Sequence, residues 1–392
     1  MHSLLIGLSG GEHVPDARLF AIALAALAAC ILWMGLAAWR HRRHLRAVPV
    51  RIHVAGTRGK STTTRLIAAG LCAGGRRVLA KTTGAEPRLI LPDGSEQVWP
   101  RRGPASVREQ TRLFARAARL RADTVVVECM AIRPQLVWAS ETHLVQATTT
   151  VLTNTRADHF EDIGEAPNAM AEALRWAVPA DGELVVAAEA ATPALRSWAA
   201  ERRTAVTVVD SAGRDPLPAD RALALAVCAA HGVPADIAGP AMDEARVDPG
   251  NFFERTLAID GKTVRFANAF ACNDVDSLAL LWPKVAGAST PVVLLNARRD
   301  RPLRTRRFVE YLAAQAPAPL LFIVGDPLAA RLARRAGFMP GAVRWLHART
   351  PAAALAELAA PAPSGGVIWG VGNYQGFGAR LVAELAGRSS TC

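Results

Sequence analysis

Apolar and polar positions in this chain follow two alternating rhythms. Short apolar runs at residues 52–55, 77–82, 124–127, 147–152 and 183–187 are bounded by turn-forming residues, the pattern of buried strands. Residues 106–120 and 167–177 instead repeat apolar positions three and four apart, the pattern of helices. Ser106 followed by Glu109 reads as a capping box at the first of these. Pro92-Asp-Gly-Ser95, inside 88–99, reads as a hairpin turn. Two further strand–helix units are expected to end near His231. Strands and helices alternating at this length predict an α/β fold: a mostly parallel sheet with helices on both faces.

A break falls at Val247-Asp-Pro-Gly-Asn251. Beyond it, runs at 255–259 and 263–267 flank Asp260-Gly261, a strong hairpin signal. A second α/β series follows, with strands near 292–296, 320–324 and 367–370 and a last helix from about Phe377. The expected division is one domain over residues 49–246 and a second over 247–392.

The start of the chain follows neither rhythm. Residues 19–39 are apolar throughout and carry no charge. As a helix rising about 1.5 Å per residue they span roughly 30 Å, the hydrocarbon thickness of a bilayer. Arg40, Arg42, Arg43 and Arg46 follow directly, whereas Glu12, Asp16 and Arg18 precede. The positive-inside rule then puts residues 1–18 outside the cell membrane as a short extracytoplasmic terminus. Residues 40–48 become a basic juxtamembrane linker, with the rest cytoplasmic. A cleaved signal peptide would carry its basic cluster on the other side, and a buried core helix would show a polar face over such a length.

Composition narrows the function. At 392 residues the chain exceeds a usual single core, which makes two soluble domains the expectation. With 51% hydrophobic residues it is not a disordered protein. The formal net charge of +12 raises nucleic acid as a partner, but no zinc finger, helix-turn-helix or RRM signature is present. The membrane flank and a polyanionic substrate or product account for it instead. Six scattered cysteines without metal-ligand spacing fit free thiols in a reducing compartment and no structural zinc.

Positive charge is carried almost wholly by arginine. The lysines are Lys60, Lys81, Lys262 and Lys284. Lys60 lies in the stretch of greatest chemical content, where the strand at 52–55 ends in Gly56-Thr57-Arg58-Gly59-Lys60-Ser61-Thr62 and a helical pattern begins. Glycines at 56 and 59 let the backbone bend and approach a ligand, and amides at the helix start face an anion. Lys60 supplies charge for β/γ-phosphates, and Ser61 or Thr62 a hydroxyl for Mg²⁺. The eight-residue form of this loop would need glycine at position 54, where Val54 stands, so this is a shorter variant.

Ligands of open α/β sheets bind at the carboxyl ends of the strands. Three more polar clusters fall at such ends: Glu128, the segment 154–162 with Asp158 and His159, and the segment 268–276 with Asn273, Asp274 and Asp276. A carboxylate there suits Mg²⁺, a hard ion that takes oxygen ligands. An arginine cluster, with Arg298 and Arg301 just past a strand end, suits carboxylate or acyl-phosphate recognition. Gly370-Val-Gly-Asn-Tyr-Gln-Gly-Phe-Gly378 reads more simply as a structural turn.

The phosphate loop, Glu128 after a valine run, and Thr153-Asn154 followed by Asp158-His159 resemble the Mur ligase superfamily of ATP-dependent amide ligases, which includes peptidoglycan-precursor ligases and folylpolyglutamate synthase. With Glu128-Cys-Met-Ala131, Asn273-Asp274, Leu295-Asn296, Arg298, Arg301 and Gly372-Asn373, the chain is most similar to the ligase subunit of membrane-bound poly-γ-glutamate synthase of capsule biosynthesis. The resemblance covers nearly the whole chain, the N-terminal span included. The phosphate loop follows that span too closely to leave room for the UDP-binding domain of the peptidoglycan ligases.

The resemblance implies a Mur-ligase central ATP-binding domain and a smaller Rossmann-like C-terminal domain. It implies an ADP-forming acid–amino acid ligase, in which a glutamate carboxylate takes the γ-phosphate of ATP and an amine then displaces phosphate to form the amide. Catalytic roles fall on Lys60, Glu128 and His159. The nucleotide falls to Gly56, Thr57, Arg58, Gly59, Lys60, Ser61 and Thr62, with Asn273 and Asp274 from the second domain. Mg²⁺ falls to Ser61, Glu128 and His159, and substrate to Arg298, Arg301 and Asp276. Implied partners are glutamate, growing poly-γ-glutamate, the membrane, small multi-span membrane subunits and an export subunit. A homo-oligomer stays open, and nucleic acid is not expected. One departure stands out: many such ligases bind a second Mg²⁺ through a carbamylated lysine after the His motif, and no lysine occurs between Lys81 and Lys262. Other readings are a folylpolyglutamate- or cyanophycin-synthetase-like ligase, or a membrane-anchored P-loop ATPase or kinase regulating polysaccharide export.

Overall fold

The computed structural model describes residues 17–84, 87–101, 103, 105–156, 163–164, 166, 168–210, 216–245, 252–272, 274–285 and 290–387. Its framework is two sheets. The first comprises β1 (Val50–Ala55), β2 (Val78–Lys81), β3 (Arg88–Ile90), β4 (Glu96–Val98), β5 (Thr124–Glu128), β6 (Thr149–Leu152), β7 (Glu183–Ala187) and β8 (Ala205–Val209), in the order β4-β3-β2-β5-β1-β6-β7-β8. From β2 across to β8 every pairing is parallel, and β3 and β4 add an antiparallel edge.

The alternation of side chains explains why both faces are covered. Ile52, Val54, Val126 and Val151 point to one face, where they meet Leu66 and Leu71 of α2 (Lys60–Ala73) and the helices Pro216–Ala230 and Ala235–Asp243. Leu79, Val125 and Val127 point to the other, against Leu113 and Phe114 of α3 (Glu109–Arg119). Central strand β5 is buried at all five positions, which its sequence Thr-Val-Val-Val-Glu allows only because Glu128 finds partners.

The second sheet holds β9 (Phe253–Ile259), β10 (Lys262–Asn268), β11 (Val292–Ala297), β12 (Leu320–Gly325), β13 (Val343–Trp345) and β14 (Val367–Gly372), ordered β13-β12-β11-β14-β10-β9. Only the β9–β10 pair is antiparallel. Its two-residue turn places Asp260 and Gly261 at φ of 48° and 77°, the left-handed geometry that Asp-Gly favours. Helices cover both faces here as well.

Two local expectations fail. Ser106 does not cap α3, which starts at Glu109 with no side-chain cap. Glu109 instead turns into the body, 2.9 Å from Lys81 Nζ and 2.8 Å from Arg101 Nε. Two buried or half-buried cations outbid the backbone amides for its carboxylate. The basic stretch 40–48 is also no loose linker. Helix α1 runs Ala17–Arg46, exposed from Arg18 to Arg40, then packed into the body. Leu45 and Val48 are buried with Phe114, and His41 Nε2 lies 3.0 Å from the Leu144 carbonyl.

Candidate active site

Strand β1 lies between β5 and β6, where the chain's progression across the sheet reverses, so the crevice beyond these three carboxyl ends is the expected ligand site. The loop after β1 is held from behind by the end of β6. Thr57 N donates to the Asn154 carbonyl at 3.1 Å, Arg58 N to Asn154 Oδ1 at 3.1 Å, and Thr153 Oγ1 to the Arg58 carbonyl at 2.5 Å. Thr153 and Asn154 are therefore the loop's scaffold. Gly56, at φ 135°, has no room for a side chain: a Cβ there would stand 2.0 Å from Thr153 Oγ1. Gly59 is left-handed at φ 78°, and its Cβ would stand 2.1 Å from Asp220 Oδ1.

Lys60 folds over this loop, donating to the Gly56 carbonyl at 2.8 Å and the Thr57 carbonyl at 3.1 Å. Ser61 Oγ donates to Glu128 Oε2 at 2.8 Å, and Thr83 N donates to the same oxygen at 2.5 Å. A hydroxyl and a carboxylate in contact at the rim of an anion-binding loop are the oxygen donors a hard divalent cation takes. Of the three expected metal neighbours the structure brings Ser61 and Glu128 together. His159 and Asp158 lie outside the described residues.

Behind the loop are buried ionisable groups that local sequence reading misses. Asp220 is buried, and burial pushes its carboxyl up to about 8, offset only partly by Thr63 and Arg156. A protonated Asp220 adds no negative charge beneath the anion site. His53 on β1 meets Glu141 Oε2 at 2.8 Å, both side chains buried. Burial alone would lower the imidazole, but the Cys129 sulfur and the Glu141 carboxylate outweigh it and take it up to about 10.

The opposite wall comes from the second sheet. A cleft of about 460 Å³ is lined by residues 56–62 and Glu128 on one side and by Arg298, Arg301 and Arg304 on the other. These arginines follow β11 and interlock with the loop after β14. Arg298 is paired with Asp300 at 2.6 Å and also bonds Gln375 Oε1, while Arg304 donates to Asn373 Oδ1 at 3.0 Å. Asn373, Tyr374 and Gln375 themselves line the cleft, so the glycine-rich turn is part of the site and not only a structural turn.

The expected contributions from segment 268–276 differ. Asn273 lies outside the described residues. Asp274 is buried at the seam between the halves, where its Oδ2 meets Arg58 Nε at 2.5 Å and its Oδ1 accepts from Ser277 N at 2.7 Å. Asp276 is exposed and outside the cleft lining. Asp274 is thus tied to the phosphate loop through Arg58, and the cleft face of the second half is arginine.

Comparison with known proteins agrees with this arrangement. Residues 254–388 match the poly-gamma-glutamate synthase CapB C-terminal domain. The PGA synthase CapB of Bacillus subtilis (strain 168) is 31% identical over 303 residues, which cover 73% of this chain and 77% of that protein. The chain belongs to the CapB family. The capsule biosynthesis protein CapB of Bacillus anthracis is 29% identical over 359 residues, 87% of this chain and 77% of that one. Among solved structures, Mycobacterium tuberculosis folylpolyglutamate synthase complexed with ADP superposes at a TM-score of 0.65 with 16% identity, covering 91% of this chain and 94% of that one. A bifunctional folylpolyglutamate synthase/dihydrofolate synthase with Mn, AMPPNP and L-glutamate bound gives 0.61 with 17% identity, covering 89% and 92%. These likenesses give the fold: CapB chains and folylpolyglutamate synthases share the two-sheet Mur-ligase frame.

Proposed function

We propose that this CapB-family chain is an ATP-dependent, ADP-forming carbon–nitrogen ligase that polymerises glutamate into poly-γ-glutamate at the cytoplasmic face of the cell membrane. Residues 49–246 would form its ATP-binding domain and 247–392 its C-terminal domain. One observation carries the reading: a phosphate loop with Lys60, Ser61 and Glu128 faces three arginines of the second sheet across one cleft. A kinase or regulatory ATPase needs the loop, but nothing in its chemistry requires a second wall suited to carboxylates.

The loop amides and Lys60 would hold the ATP phosphates, and Ser61 with Glu128 would hold Mg²⁺, which when bound neutralises phosphate charge. Arg298, Arg301 and Arg304 would orient the glutamate carboxylates against the γ-phosphate. Proximity and charge stabilisation then serve both steps, formation of a glutamyl acyl phosphate and its attack by an amine. Helix α1 would span the membrane once, N-terminus outside, with multi-span and export subunits as neighbours in a synthase complex.

Incubation with ATP, Mg²⁺ and glutamate tests the reading. Glutamate-dependent ADP and phosphate release is expected, and added hydroxylamine should trap glutamyl hydroxamate. Phosphate transfer to protein, or hydroxamate formed with ATP omitted, would refute it.

A further inference from the structure

Three hollows on the first half of the molecule share walls. The active-site cleft of about 460 Å³ reaches Arg101. The same arginine lines a second hollow of about 310 Å³ beside the start of α3, with Arg108, Thr111 and Arg112. Arg108 and Thr111 in turn line a third, of about 250 Å³, whose other wall is α1 through Trp33, Arg40 and His44. A surface path therefore joins the phosphate loop to the place where α1 leaves the body.

The charge along this path is one-sided. Glu109 is the one carboxylate lining the second hollow among the described residues, and it is buried between Lys81 and Arg101. The third hollow has no carboxylate in its described lining. Arg40, Arg108 and Arg112 are exposed, and among the described residues none of them forms an ion pair. Arg108 and Arg112 stand one helical turn apart and so share a face, with Arg112 laid over the Trp99 ring at 5.3 Å. A basic flank beyond a membrane span explains Arg40 and its neighbours. It does not explain Arg101, Arg108 and Arg112, which belong to the catalytic body and bridge that flank to the cleft.

We propose that this path is the track along which growing poly-γ-glutamate leaves the cleft toward the membrane. The proposal rests on the ligase reading above. A γ-linked chain carries a free α-carboxylate on every residue, and guanidinium groups spaced along a groove match it. Lys81 and Glu109 act as positioning residues that fix Arg101 at the junction of cleft and track.

The test uses the full chain in phosphatidylcholine nanodiscs and a fluorescent poly-γ-glutamate of defined length. Arg108→Glu combined with Arg112→Glu should weaken polymer binding about tenfold or more and shorten the product. The double Lys variant should restore both, and melting temperature should not move, since both side chains are exposed. Unchanged binding in the Glu variant overturns the track. So does a defect that appears only when phosphatidylserine is added, because the arginines would then be contacting lipid. A wild-type chain that binds polymer but releases no ADP with glutamate would instead defeat the ligase reading.

Discussion

The two walls of the cleft are built from different materials. On the first sheet the ligand-facing groups are backbone amides and short side chains, each tied back to its own sheet: Gly56 against Thr153, Arg58 N on Asn154, Ser61 and Thr83 on Glu128. On the second they are long arginines at the ends of β11, tied to the loop after β14. Backbone amides leave no alternative geometry when a scaffold residue changes. Several guanidinium groups share one task and lose it by degrees. The first wall should therefore fail outright, and the second gradually.

Lys60→Ala should sharpen this contrast most. Removing the loop's ammonium should lower ATP-dependent turnover at least about a hundredfold, and near-normal turnover in a folded variant would remove the loop from the mechanism. Gly56→Ala comes next. Its Cβ would stand 2.0 Å from Thr153 Oγ1, so the loop must shift or strain by about 1–3 kcal/mol. Nucleotide affinity, read by titration with an ATP analogue, should fall about tenfold or more, and an unchanged affinity would show that the loop is more pliant than its contacts imply.

Arg298→Ala or Arg301→Ala should each cost less, about tenfold, mostly as a higher KM for glutamate. A hundredfold fall in kcat from either would break the comparison, because the second wall would then be as unforgiving as the first. The smallest effect at neutral pH belongs to Asp220→Asn. The Asp220 carboxyl is raised by burial from 3.8 to about 8. The stability this gives is complete below about pH 4 and is lost as pH rises through about 8. The amide cannot ionise, so thermal melts should lose part of their alkaline decline. A variant whose melting curve still falls as steeply between those limits would show that Asp220 is not its source.

The parallel framework is legible in the sequence because strands buried on both faces must be continuous apolar runs, and Val50–Ala55, Thr124–Glu128 and Val292–Ala297 are such runs. Strand β13 escapes notice because it is three residues at a sheet edge, too short to show a period. The phosphate loop and Glu128 are legible because local order alone, strand then polar residue, places them. Asp274 is misread for the opposite reason: its partner Arg58 is 216 residues away, and no local pattern announces the pair. The same holds for His53 with Glu141 and for Gly59 with Asp220. Lys81 offered a signal, as one of four lysines in an arginine-rich chain, but its partner Glu109 looked like a helix cap.

The continuity of α1 into the body has a mechanical meaning. A helix that crosses a bilayer and then packs Leu45 and His41 against the catalytic core has no swivel. Its azimuth about its own axis therefore fixes which side of the enzyme looks at the membrane and which subunits can sit beside it. That azimuth is set by residue count alone, at about 100° per residue. One alanine inserted between Ala38 and Trp39 would leave every catalytic contact intact and rotate the whole enzyme by more than a quarter turn beneath the membrane. In such a machine the register of an anchor helix is as much a specification of the product's route as any side chain in the cleft.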